Sequence, residues 1–276
     1  MRRFLATMIA VAAFAACSTE ATETPAAGGY GELAVHGTVS TVLDAWTRAQ
    51  VELPAGTTIP QADAMALAIE STDAENPYFK EWTAVSEYSA KKDLLYATTY
   101  DVRIHSAEAD DAMTSDEGVN RPYFEGSRAV EVPARQQTPV TVTAALANAI
   151  VRIEFTDDFK GYFPNGAQFT LTTEAGSEFT TGYTADDHDT AELCWFIRPA
   201  SFSIAGSAVK QTPSATVEPE TVTFAETAGT AEARTFYTYT FDVKGVGSGT
   251  VNIALNDTPI ATDESDNELN DDAKAQ

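Results

Sequence analysis

Three histidines are the residues best suited to acid–base or metal chemistry in this 276-residue chain. His36 and His105 alternate with apolar residues in strand-like segments, so we expect both at solvated or sheet-edge positions. His188 lies within Asp186–Asp189, but consecutive loop positions cannot all point at one ion, and no second ligand group is spaced to complete a shell. The sequence contains no glycine-rich phosphate loop, serine elbow or zinc-binding helix motif. It therefore predicts no metal, no cofactor and no enzymatic activity.

The two cysteines have different predicted roles. Cys17 follows an arginine pair, an apolar stretch over residues 4–14 and two small alanines. This order is typical of a signal peptide over residues 1–16, whose cleavage leaves Cys17 as a lipid-bearing N-terminus with acyl chains such as palmitate. An incidental cysteine in a plain secreted protein is the alternative. Cys194 lies in an apolar run and is predicted to be a small buried hydrophobic residue.

The charge of the chain limits its partners. The formal net charge is −24, and removal of residues 1–16 deletes Arg2 and Arg3, which leaves −26. Such a surface repels a phosphate backbone, so we expect no nucleic-acid partner. The acidic loop at 106–118 and the acidic C-terminus do not follow the ligand spacing of a calcium loop, so solvated charge is the preferred interpretation there.

Alternating apolar and polar residues indicate strands along most of the chain. A first strand is predicted over Glu32–Asp44, and residues 62–69 fit either a strand or a short helix. Many short strands separated by turn residues are typical of β-sandwiches, and we expect one over 30–144 and another over 145–257. Residues 17–29 are predicted to be a flexible lipidated tether, and residues 258–276 a disordered acidic tail.

Aromatic residues are concentrated in two loop-like segments that have two interpretations. One segment contains Tyr78 and Trp82, and the other contains Tyr123. Exposed aromatic rings stack on sugar rings, so these three side chains are candidates for ligand contacts. Loop aromatics also fold back to close the end of a sandwich, and this second interpretation is preferred.

Three segments resemble the fimbrillin-like lipoproteins of the Bacteroidetes. They are Tyr100–Ser106 (YDVRIHS), Arg121–Gly126 (RPYFEG) and Thr141–Phe155, which contains a Leu-Ala-Asn junction. The resemblance implies an all-β fold of two tandem immunoglobulin-like or transthyretin-like sandwich domains, export to the outer membrane and relation to subunits of surface pili. In such pilins, an arginine-specific protease cuts after the first strand, and the vacated groove accepts a strand from the next subunit.

Arg48 follows the predicted first strand and is the candidate maturation site, with an ordinary exposed loop arginine as the alternative. An acidic C-terminus is a poor donor strand, so an anchor or tip subunit fits better than a stalk subunit. We therefore expect a lipid-anchored outer-membrane protein, exposed at the cell surface, that is a fimbrial accessory or adhesion component and contacts pilin-like subunits by strand exchange. The alternative is a lipid-anchored glycan-binding protein of a polysaccharide-utilisation system, with a host or dietary glycan as its partner.

Overall fold

A computed structural model describes residues 28–43, 53–106, 117–190, 193–211 and 217–243, together with the backbone of 249–255 and 258–265. Cys17, Arg48 and the signal peptide lie outside these residues, so their assignments stay predictions. Within the described helices, no segment is both long and apolar enough to cross a membrane.

The described residues form seventeen strands and one short α-helix. The strands before Ala147 are β1 (Tyr30–Val39), β2 (Ala66–Ser71), β3 (Phe79–Trp82), β4 (Leu95–Tyr96), β5 (Thr99–His105), β6 (Gly118–Val119), β7 (Phe124–Glu131) and β8 (Gln137–Leu146). After Asn148 come β9 (Ala149–Phe155), β10 (Gly166–Thr173), β11 (Glu178–Thr184), β12 (Cys194–Ile197), β13 (Ser201–Val209), β14 (Thr221–Thr230), β15 (Phe236–Val243), β16 (Gly249–Leu255) and β17 (Thr258–Ser265). The all-β prediction is confirmed.

The first half forms a seven-stranded sheet in the order β3-β2-β5-β7-β8-β1-β4. Its inward-facing residues are those that the alternation predicts, with Leu33, Val102 and Ile104 fully buried. Lys80 in β3 pairs with Asp93, which precedes β4, so the two ends of the sheet meet and the sheet curls around its core. β1 pairs with β8 in parallel over Glu32–Val39, which requires a long connection between the two strands.

The second half is a sandwich of two sheets, in the orders β11-β10-β13-β14 and β17-β16-β15-β9-β12-β6. Their facing sides enclose a core rich in aromatic rings, in which the ring centroids of Phe169 and Phe241 lie 4.0 Å apart. Helix α1 (Asp157–Tyr162) covers one end of this core through the fully buried Phe159. Thr156 caps the helix by accepting the Phe159 N–H with its hydroxyl.

The two halves share apolar contacts. Phe196 and Phe236 both lie opposite Ile150, and these three residues form a row across β12, β9 and β15. They face away from the aromatic core of their own half and belong to the core of the first half. Strand β6 also precedes β7 in the chain but pairs with β12. The division into two sandwich domains near residue 144 stays a prediction. The apolar row shows that three residues of the second half complete the core of the first half.

The structure corrects two local predictions. Residues 66–71 form strand β2 after a single 3₁₀ turn at Ala62–Ala64, so the helical interpretation of 62–69 is wrong beyond that turn. The predicted disorder is also wrong at Thr258–Ser265, which pairs as β17 with β16. Charge repulsion disfavoured a packed element there, but an edge strand needs one pairing partner and not a core.

Candidate functional site at the junction of the halves

The three segments that carry the family resemblance meet at one place. Arg103 projects from β5 on the face opposite the core, and its Nη2 atom donates to Glu125 Oε2 on β7 at 3.0 Å. The same atom lies 3.4 Å from the hydroxyl of Tyr123. Register places Arg103 opposite Ser127, so Glu125 is its diagonal neighbour across the two strands. No local pattern assigns these residues a common role, because Arg103 lies about twenty positions before the other two.

His105 is buried beneath this cluster. It is 1 % exposed, and its ring stacks on Tyr123 with centroids 6.4 Å apart. One ring nitrogen lies 3.0 Å from Glu81 Oε1, and the other lies 2.9 Å from the carbonyl oxygen of Ser106. The expectation of a solvated or edge position is therefore wrong for His105. Alternation places it on the outer face of β5, but Tyr123 covers that face.

Asn148 joins three segments of the junction through hydrogen bonds. Its side-chain oxygen accepts the N–H of Tyr123 at 2.5 Å, and its carbonyl oxygen accepts the N–H of Arg234 at 2.8 Å. The neighbouring Ala147 N–H donates to the carbonyl oxygen of Tyr123. Asn148 is 2 % exposed, so these bonds satisfy polar groups that water does not reach. The Leu-Ala-Asn junction at the end of β8 therefore has a structural role.

A cleft of about 420 Å³ opens beside this cluster. One wall is the outer face of the first sheet, with Asp101, Arg103 and Glu125. The opposite wall comes from the second half, with Pro199 and Arg234. The cleft therefore combines paired charges with a small apolar surface. The sequence analysis missed this site because its walls come from segments that lie far apart in the chain.

The predicted ligand-contact aromatics do not form an open surface. Trp82 is 8 % exposed and packs edge-on against Tyr88, and Tyr123 is 5 % exposed. Tyr78 is half-buried against Tyr100, and burial raises the pKa of the Tyr78 phenol. The assignment of ligand contacts to Trp82 and Tyr123 is therefore wrong, because strand direction turns the first inward and the junction covers the second. Their neighbour Phe79 is the exposed ring, at 64 %.

The remaining candidates for chemistry occupy ordinary positions. His36 is exposed on β1, as expected. His188 lies in a turn, where one ring nitrogen is 2.9 Å from the carbonyl oxygen of Pro164. Cys194 is half-buried beside the core of the first half. Among the described residues, no three His, Cys, Asp or Glu side chains come close enough to hold a metal ion.

Fold and junction together define an all-β sandwich protein whose halves interlock around a polar cleft. Residues 29–272 match the family described as the domain of unknown function DUF4493, and the chain belongs to that family. No curated protein matches the sequence significantly.

Several solved structures have a remote likeness to the chain. A proposed cell adhesion protein from Bacteroides ovatus superposes with a TM-score of 0.40 at 10% identity, covering 86% of this chain and 98% of its own. Another, from Parabacteroides distasonis, gives 0.40 at 8% identity, with 78% and 93% covered. A proposed polysaccharide binding protein from Bacteroides thetaiotaomicron gives 0.34 at 10% identity, with 81% and 97% covered.

Proposed function

We propose that this protein is a non-enzymatic lipoprotein of the cell surface that works as an accessory adhesion or fimbrial component. Acyl chains on Cys17 anchor it to the outer membrane, and it contacts other subunits through β-strands. The supporting observation is the position of β1 in its sheet. No nucleic-acid partner is proposed, because a charge of −24 repels phosphate.

The pairing of strand β1 is extensive on one edge and short on the other, which would favour its replacement by another strand. It is paired with β8 along Glu32–Val39, whereas among the described strands its other edge is paired with β4 at Tyr30 and Gly31. The hydroxyl of Tyr88 donates to the carbonyl oxygen of Leu33 from that outer side. Leu33 is fully buried, and Val35 and Val39 are half-buried, so alternate side chains of β1 fill apolar sites.

Removal of β1 would uncover an edge of β8 together with those apolar sites. An exposed edge offers N–H and C=O groups, and the sites at alternate positions select an incoming strand. Strand β16, which contains the candidate donor segment Val251–Leu255, is paired on both sides, with β15 and β17, and acidic residues follow it in the sequence. The protein is therefore better suited to accept a strand than to donate one, which supports an anchor or tip position.

Strand exchange is testable with a specific protease site inserted after Arg48. After cleavage, a labelled peptide of residues 30–40 should replace β1 and bind stoichiometrically to the cut protein, as measured by native mass spectrometry. The control peptide has Leu33 and Val35 replaced by Asp and should not bind, because two carboxylates would enter apolar sites. Binding of both peptides alike, or of neither, would contradict the proposal.

Native processing provides a second test of the same proposal. An acylated Cys17 on protein purified from membranes would support the anchor, whereas an unmodified N-terminus would contradict it. A new N-terminus at Ala49 would show pilin-like cutting at Arg48; because that cut also removes Cys17, it would contradict the lipid anchor while supporting the removal of β1. Insertion of Val251–Leu255 into a neighbouring subunit, detected by cross-linking, would contradict the anchor or tip assignment.

Burial of two of the three predicted contact residues weighs against the surface that the sequence predicted for the glycan-binding alternative. Trp82 and Tyr123 are buried, so they offer no ring face to a sugar. A glycan site would have to lie elsewhere on the molecule.

A further inference from the structure

We propose that the cleft between the two halves binds a neutral oligosaccharide through paired charged side chains. This site is separate from the strand contacts proposed above and does not depend on them. Its volume of about 420 Å³ lies within the range of small-ligand sites and suits a ligand of a few sugar units.

The charges that line the cleft indicate a neutral ligand. Two arginines, Arg103 and Arg234, are matched by two carboxylates, Asp101 and Glu125. These four side chains carry no net charge, so they favour neither a cationic nor an anionic ligand, and the overall charge of −24 opposes an anionic one further. The chain has 17 basic residues and 41 acidic ones. A cleft with two arginines is therefore richer in basic residues than the chain as a whole.

The arrangement of these charges indicates a ligand rich in hydroxyl groups. Arginine supplies N–H donors in a fixed fork, whereas an ionised carboxylate only accepts. A hydroxyl does both, so adjacent hydroxyls can accept from Arg103 and donate to Glu125, whose paired atoms are 3.0 Å apart. Ser127 adds a further hydroxyl, and the exposed ring of Pro199 gives a small apolar surface for the C–H face of a sugar.

The backbone around the cleft argues against an extended peptide as the ligand. β5 lies between β2 and β7, and its residues Asp101–His105 are in register with both neighbours. Their N–H and C=O groups are therefore used within the sheet and cannot pair with an added strand. Recognition in this wall of the cleft depends on side chains.

Local geometry holds Arg234 at the edge of the cleft. Its φ angle is +60°, a left-handed conformation that is unfavourable for a side chain larger than glycine. The bond from its N–H to the carbonyl oxygen of Asn148 maintains this conformation. This turn places the arginine among the lining residues of the cleft.

The proposal is tested by screening the purified full-length protein against an array of neutral host and plant oligosaccharides. Hits are then titrated calorimetrically, together with trigalacturonate and tetraglycine. At least one neutral oligosaccharide should bind with 1:1 stoichiometry and more tightly than the acidic sugar or the peptide. The absence of neutral hits, or tighter binding of trigalacturonate or tetraglycine, would overturn the proposal.

Matched variants locate the binding. Ser127→Trp fills the cleft from an exposed position on β7 and should weaken binding at least tenfold, as should Arg103→Ala combined with Glu125→Ala. Thr141→Trp, at an exposed position on β8 that does not line the cleft, should change it less than twofold. Unfolding midpoints within a few degrees of the parent show that the variants fold. Folded Ser127→Trp protein that binds like the parent would refute the site.

Discussion

Replacing Phe196 by alanine should destabilise the first half and make the two halves unfold in separate transitions. Phe196 belongs to β12 in the second half, is 1 % exposed and packs in the core of the first half. Phe→Ala substitutions in cores cost about 3–5 kcal/mol, and we expect about 4 because Ile150 and Phe236, held by β9 and β15, cannot collapse into the cavity. That loss is a large part of the roughly 5–15 kcal/mol that stabilises a typical protein.

Urea unfolding, followed by hydrogen exchange in peptides from each half, measures this effect. The parent should unfold in one transition, whereas Phe196→Ala should unfold in two, with the first half losing protection separately from the second. Ile197→Ala is the matched control, because Ile197 is also 1 % exposed but faces the aromatic core of its own half. It should lower the midpoint of a single transition. A single transition in Phe196→Ala, or a loss below about 1 kcal/mol, would refute the reasoning.

Two further predictions concern buried polar groups. Asn148→Ala removes the acceptor of the buried Tyr123 N–H and should lower the free energy of unfolding by about 1–3 kcal/mol in urea denaturation, whereas a loss near zero would mean that water replaces the amide. Burial raises the pKa of Tyr100 to about 12 and also raises those of Tyr183 and Tyr239. The folded state therefore favours the neutral phenols, so their stabilisation is complete below pH 10, near the ordinary pKa of tyrosine, and is lost as the pH rises through 10 to 12. The urea midpoint should fall in that window while tyrosinate absorbance rises, and a constant midpoint would contradict the prediction.

Much of the first sheet was predictable from local pattern. Tyr100, Val102 and Ile104 alternate with polar residues in the sequence and are buried at 1 %, 0 % and 0 % in the structure. Alternation succeeds there because side chains on a strand point to opposite faces in turn, whichever strands lie beside it. It failed for His105, because a residue on the outer face is buried when another segment covers that face.

The candidate site was less predictable than the fold. Arg103, Tyr123 and Asn148 were present in the segments of family resemblance, but no spacing rule brings them together. For Trp82 and Tyr123, the sequence allowed two interpretations, ligand contact and core closure. Local sequence could not distinguish the two interpretations, because both require aromatic residues near a turn. Their burial depends on the curl of the sheet and the docking of the second half.

Residue order alone was sufficient to predict the strand content, the inward-facing residues of most strands, the acidic charge and the segments that resemble fimbrillin-like lipoproteins. These properties follow from residue type and near-neighbour order. The tertiary structure alone decided that β1 pairs in parallel with β8, that Phe196 enters the core of the other half, and that Arg103, Glu125 and Arg234 line one cleft. Such contacts join residues far apart in the chain, and their energies depend on how whole sheets pack, which no local pattern encodes.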